Sequence, residues 1–231
     1  MKHEDIKKRL SDVPLFKELS DEELAPFINI ALTRFYKPKM YVFMQEDPLD
    51  RVFFIHSGKI KIYKTDFSGK EQIVSVLEPG EMFPHAGFFR DGNFPAHAEV
   101  LEEANLIVIP IDKFEETLIS YPELCIKLFK VLGEKIVDLQ GRLEAQVLHN
   151  TFEQIVLLLI RLCQSNGEQI GSTRYQLTTQ FTNRELANMI GTSRETVSRT
   201  INHLKKKNYI NQREDGLYLI DRKALEQELF Y

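Results

Sequence analysis

The chain has no tryptophan, only two cysteines in 231 residues, and no long apolar run. Cys125 and Cys163 lie far apart and outside any C-x-x-C spacing, which argues against a four-cysteine cluster or zinc ribbon and for a reducing cytosol. Both fall among apolar residues on expected helices, where the reading is an inert buried thiol. The longest purely apolar stretch, residues 155–160, is far too short to cross a bilayer. The opening MKHEDIKKRL carries charge throughout and lacks the apolar centre of a secretory signal, so a cytoplasmic protein with no membrane partner is expected. Nucleophile elbow, P-loop, dinucleotide fingerprint and metal-spaced histidine pair are all missing. The acidic pairs Glu22-Glu23, Glu102-Glu103 and Glu115-Glu116 read as solvated carboxylates, and no enzyme is expected.

What is present is a globular composition, 43% hydrophobic and 28% charged, with room for two modest domains. The net charge of −4 argues against nucleic acid until the chain is divided. Residues 1–150 carry 19 Lys+Arg against 25 Asp+Glu, whereas residues 182–213 carry 7 against 2. Basic charge is thus gathered on one short segment, as a local phosphate footprint requires.

That segment, TNRELANMIGTSRETVSRTINHLKKK at 182–207, holds two helix signals separated by Gly191. Thr182 with Glu185, and Thr192 with Glu195, each have capping-box spacing. Leu186, Ala187 and Ile190 make the apolar side of the first helix; Val197, Ile201 and Leu204 make that of the second. The other side of the second helix carries Arg194, Glu195, Ser198, Arg199 and Asn202. A guanidinium matches guanine O6 and N7, and a carboxylate accepts from the cytosine amino group, so this is expected to be a helix-turn-helix reading a DNA major groove. Arg194, Glu195, Ser198 and Arg199 are the expected base readers. Thr182, Thr192, Ser193, Lys205, Lys206, Lys207 and Arg213 are the phosphate candidates. Asp215-Gly216, between 209–213 and 217–220, reads as the hairpin turn of a wing, and a last helix is expected over 221–230.

Upstream, Ser20 reads as the cap of an amphipathic helix with Leu24, Phe27, Ile28 and Leu32 on one side, interrupted early by Pro26. From 33 to about 110 short apolar runs at 40–45, 51–58, 59–65, 71–78, 95–102 and 105–111 are divided by turn residues, suggesting a β-barrel or jelly roll. A helix is expected to start at Asp112. From about 122 to 150 Cys125, Phe129, Leu132, Ile136, Leu139, Leu143 and Val147 alternate spacings of three and four, a coiled-coil seam that suits the partner helix of a homodimer, the other reading being a helix lying on its own barrel. Residues 152–162 read as a buried helix, 164–173 as a loop, and YQLTTQF as a short strand.

Two stretches, RVFFIHSGKIKIYKTDFSGKEQIVSVLEPGEMF and RETVSR at 194–199, resemble the cyclic-AMP receptor protein and fumarate-nitrate regulator family. Gly58, Gly69 and the corner Pro79-Gly80-Glu81 stand where that family has its turn glycines and corner. The resemblance implies an α+β chain: a jelly-roll, cyclic-nucleotide-binding-like sensor (1–121), a dimerisation helix (122–150) and a winged helix-turn-helix (151–231). It implies a transcription regulator acting as a dimer on an inverted repeat of TGA-like half-site core, with RNA polymerase and an unidentified small-molecule effector as further partners. In relatives that bind cyclic nucleotides, a glycine-glutamate pair and a later arginine-serine pair hold ribose and phosphate. The matching positions here are Pro84-His85 and Pro95-Ala96, so cyclic AMP is not the expected effector. His85, Arg90 and His97 remain as effector-pocket candidates. No cofactor is expected, with haem on His85 as the alternative left open.

Overall fold

A computed structural model of the chain describes residues 2–17, 19–89 and 91–229, and divides into two compact units, 1–137 and 138–231. The expected N-terminal β-domain, long helix and C-terminal helix-turn-helix are all present as one mixed α and β chain.

The first unit opens with α1 (Lys2–Ser11), a helix the charged sequence does not announce, because only Ile6 and Leu10 mark its buried side. Ser20 caps α2 (Asp21–Ile30) reciprocally: its amide donates to Glu23 at 2.7 Å, and the Glu23 amide donates back to its hydroxyl. Pro26 does not interrupt this helix. It removes one amide from the ladder, but Leu24 and Phe27 on either side are buried, and their burial outweighs the missing bond. The helix ends at Ile30, so Leu32 belongs to the following strand, where it is exposed.

Six antiparallel strands follow: β1 (Leu32–Tyr36), β2 (Tyr41–Phe43), β3 (Arg51–Thr65), β4 (Glu71–Leu77), β5 (Met82–Phe83) and β6 (His97–Pro110). Their order is β1-β6-β3-β4, with β2 on β6 and β5 on β3. The runs 51–58 and 59–65 are one strand, and so are 97–102 and 105–110. Register shifts around Ser57 and Lys59 let β3 and β6 bend together without parting. The unbroken run VFFI is explained by burial on both faces. Val52 and Phe54 face α1, α2, α3 (Ile111–Ser120) and the start of α4 (Pro122–Leu148), while Phe53 and Ile55 face the barrel interior. That interior is filled by phenylalanine: Phe43 stacks on Phe94 with centroids 3.7 Å apart, and Phe53 on Phe83 at 5.2 Å.

In the second unit Asn150 caps α5 (Thr151–Ser165) in a box with Glu153, and Ile155, Val156, Leu158, Leu159, Leu162 and Cys163 of α5 are buried. The expected loop at 164–173 contains a strand, β7 (Gly167–Gln169), held by pairing with β8 (Arg174–Leu177) rather than by any local pattern. A sheet of order β7-β8-β10-β9 is completed by β9 (Ile210–Gln212) and β10 (Tyr218–Asp221). It supports α6 (Asn183–Ile190), α7 (Arg194–Lys206) and α8 (Arg222–Glu228), the last capped by Asp221; Phe230, at the end of the expected helix, lies outside the described residues. Among the described residues no helix is long and apolar enough to cross a membrane.

Candidate nucleic-acid interface

The turn between α6 and α7 is built by local chemistry. Thr182 and Glu185 close the expected capping box, with the Thr182 amide donating to the Glu185 carboxylate at 2.8 Å. Gly191 ends α6 at φ 75°, a left-handed conformation that a side chain would strain, and its amide returns to the Ala187 carbonyl. The second cap differs from the expected one. Ser193, not Thr192, is the N-cap, its hydroxyl accepting from the Thr196 amide at 3.1 Å. The Thr192 amide is instead donated to the Ala187 carbonyl, so the turn uses Thr192 and leaves the cap to its neighbour.

Val197, Ile201 and Leu204 are buried behind α7, joined by Thr200. Arg194, Glu195, Arg199 and Asn202 are exposed on the other side, with Ser198 half-buried. The Glu195 carboxyl is held below the usual carboxylate range by the backbone amide first, then by the Ser193 hydroxyl and the charges of Arg194 and Arg199. It is therefore an ionised acceptor at neutral pH. Arg199 donates weakly to the Thr196 hydroxyl at 3.4 Å and forms no ion pair with Glu195, so both heads remain available to a ligand.

The phosphate candidates divide by what already holds them. Lys205 donates to Gln212 at 2.8 Å and sits over the Tyr218 ring; Lys207 pairs with Glu228 at 2.5 Å and sits over Tyr209. These two lysines fasten α7 to the β9–β10 hairpin and to α8. Lys206 is exposed, with no ion pair among the described residues. Arg213, at the wing, donates to Gln176 and pairs with Asp215 at 3.2 Å. Thr182 and Ser193 are exposed at the two helix starts, and Thr192 is half-buried. Arg184, exposed in the first turn of α6, was not singled out by motif reasoning; its signal was the excess of cations in 182–213.

In the first unit, His85 and His97 have different neighbours. His85 is half-buried, and burial first, then the Lys135 charge, push its pKa down to about 4, so it is neutral. Lys135 pairs with Glu81 at 2.6 Å, tying α4 to the barrel corner. His97 accepts from the Gln45 amide at 3.1 Å and stacks on Tyr63, whose hydroxyl is 2.8 Å from that of Tyr41. Arg90 lies outside the described residues. Cys163 is buried and its thiol is pushed up to about 12 by that burial; Cys125 donates to the Leu118 carbonyl. Along α4, Leu132 packs partly on its own barrel. Phe129, Ile136, Leu139, Leu143 and Val147 are more than half exposed, as are Ile126, Val137 and Leu148 beside them.

Two family models match: a cyclic nucleotide-binding domain over residues 33–121 and a Crp-like helix-turn-helix domain over 153–228. The chain is 25% identical over 205 residues to a CRP-like cAMP-activated global transcriptional regulator of Mycobacterium tuberculosis, covering 87% of this chain and 91% of that one. It is 25% identical over 216 residues to the anaerobic regulatory protein of Bacillus subtilis, covering 93% and 90%. Among solved structures, FixK2 from Bradyrhizobium japonicum aligns with TM-score 0.73 at 16% identity, over 86% of this chain and 96% of that one. A CooA mutant from Carboxydothermus hydrogenoformans also gives 0.73, at 21% identity over 92% and 91%.

Proposed function

The chain belongs to the cyclic-AMP receptor protein and fumarate-nitrate regulator family of transcription regulators, and from that premise we propose that it grips an inverted-repeat operator as a two-fold homodimer in the cytoplasm. The observation that carries this is the exposure of Glu195 and Arg199 on one side of α7, opposite the buried Val197, Ile201 and Leu204. In a dimer joined along α4, two such helices meet half-sites one DNA turn apart, about 34 Å. Arg199 and Glu195 read base edges in a TGA-like core, with Arg194 and Ser198 assisting. Thr182, Thr192, Ser193, Arg184 and Lys206 contact phosphates, while Lys205 and Lys207 chiefly hold α7 in place. Arg213 leaves Asp215 for a phosphate when the wing meets the backbone. RNA polymerase and a small-molecule effector are the further partners in this reading.

Cyclic AMP is not the effector in this proposal. A bound nucleotide needs a cation for its phosphate and room for its base. Pro95 and Ala96 provide no charge, and the rings of Phe43, Phe53, Phe83 and Phe94 occupy the barrel. Haem on His85 has no part in this reading either: the charge beside that half-buried imidazole is the Lys135 ammonium of α4, held by Glu81. The proposal therefore carries no cofactor. An absorbance spectrum and mass analysis of the native protein as purified should show neither a Soret band nor a cyclic nucleotide.

Arg199→Ala is expected to relax discrimination at one base pair of each half-site, by roughly 1–3 kcal/mol. Measured against a set of singly substituted operators, a profile that stays the same sinks the assignment. Lys206→Ala should weaken all sequences alike and make the fall of log affinity with log salt shallower, by about one for each phosphate no longer neutralised. A sensor that acts only through protein contacts would show no steep salt dependence with duplex DNA at all.

A further inference from the structure

At the C-terminal end of α1 the first unit leaves a cavity of about 210 Å³, between the turn that follows the helix and the corner joining β4 to β5. Arg9, Asp12 and Pro14 line one side and Pro79 and Gly80 the other, with His56 of β3 completing the lining. His85 and His97 take no part in it. Backbone bonds fix its walls. The Val13 amide donates to the Leu10 carbonyl at 2.9 Å, and the Gly80 amide to the Ile55 carbonyl at 2.8 Å. A Cβ on Gly80 would stand 3.3 Å from the Pro14 Cδ, so turn and corner adjoin. The shape exists before a ligand arrives, which spares part of the ordering cost of binding.

Three polar side chains of the lining are unequally engaged. Arg9 gives its Nε to Asp5 at 2.8 Å, and its two Nη groups have no partner among the described residues. Asp12 is exposed, with neither an ion pair nor a hydrogen bond among the described residues. His56 Nδ1 is sealed from solvent and also lacks a hydrogen-bond partner. A proton there would be buried without an acceptor, so the ring proton sits on Nε2, which serves as a donor.

Charge then selects the ligand. Two carboxylates, Asp5 and Asp12, stand against one guanidinium, so a bare anion would meet an excess of negative charge. A bare cation would suit Asp12 but leave the Arg9 Nη groups and the His56 donor without an acceptor. Only a ligand bearing both charges satisfies all three. The geometry points to a free amino acid with a short apolar side chain. Its carboxylate accepts from Arg9 Nη and His56 Nε2, its ammonium lies on Asp12, and its side chain rests on Pro14 and Pro79. At roughly 30 Å³ for each water-sized group, the cavity takes a molecule about the size of valine. The site is independent of the operator reading, since none of its residues belongs to the second unit.

The test is a ligand-observed NMR titration of the full-length protein with three compounds. These are L-valine, isovalerate, which lacks the ammonium, and isobutylamine, which lacks the carboxylate. Valine should bind about tenfold tighter than either fragment. Asp12→Asn should lose about that factor for valine and come to prefer isovalerate, whereas Arg9→Gln should come to prefer isobutylamine. Misfolding cannot produce opposite preferences in two variants, and operator affinity without ligand should match that of the wild type in both. No saturable binding of valine by the wild type, or binding of either fragment as tightly as valine, would overturn the proposal. So would variants that weaken all three compounds in equal proportion, or inorganic phosphate bound more tightly than valine.

Discussion

Leu139→Glu together with Leu143→Glu is expected to leave the protein monomeric and to lower its affinity for an inverted-repeat operator by about a thousandfold. Both side chains lie on a helix of 27 residues, α4, and are 54% and 65% exposed. With Ile136 and Val147 they continue, along the same helix, an apolar face on which Leu132 is partly buried and these four are more than half exposed. Burying a leucine contributes roughly 1.5–3 kcal/mol, and a two-fold axis uses each position twice, so the pair is worth about 5 kcal/mol or more to the dimer. In the proposed dimer each glutamate would also lie in an apolar seam beside its counterpart on the second copy, adding like-charge repulsion. Sedimentation reads the mass, and anisotropy with whole-operator and single half-site duplexes separates the causes. Half-site affinity should stay unchanged, because the substitutions do not alter α7 or its caps. A variant that remains dimeric would move the seam to another face of α4; one that loses half-site binding as well would show that the second unit has been disturbed.

Where the sequence was legible, the deciding interactions were local. Thr182 with Glu185, Gly191 and the stripe of Val197, Ile201 and Leu204 lie within a few residues of one another, and so does the cap of α2. The length of α4 was legible too, since a period repeated over 27 residues outweighs its two internal glycines. Illegible features depended on partners far along the chain. Strand β7 exists only through its pairing with β8, and α1 shows just two of its buried residues on its own helix, the rest of that packing coming from Val13, Leu15 and Phe16 in the turn beyond. The lysines at 205–207 look equivalent in sequence, yet Gln212 and Glu228 engage two of them and leave Lys206 outward. The shift of the α7 cap from Thr192 to Ser193 is a choice between adjacent hydroxyls. The turn settles it by giving the Thr192 amide to the Ala187 carbonyl.

The same distinction between local and distant partners sets apart two glycines that look alike in sequence as turn residues. Gly58→Val is expected to destabilise the sensor unit by about 4 kcal/mol, whereas Gly69→Ala costs about 1 kcal/mol. Both have positive φ, 87° and 80°, so each substitution carries backbone strain. Gly69 sits at the β3–β4 turn with nothing within 4 Å of a Cβ, and strain is its whole cost. Gly58 lies inside β3, where a Cβ would stand 2.6 Å from the Ala104 Cα and closer still to the Glu103 carbonyl oxygen of β6. Those are backbone atoms that cannot rotate away, and valine adds two methyl groups to the collision. Because β3 and β6 bend together at this point, the clash would part the two longest strands of the sheet. Calorimetry of the full chain should show the sensor transition lowered by roughly 10 °C. Hydrogen exchange should show β3 and β6 losing protection while α5 to α8 keep theirs. A Gly58→Val protein as stable as Gly69→Ala would mean that the strands do not approach here, and that β3 is two strands after all.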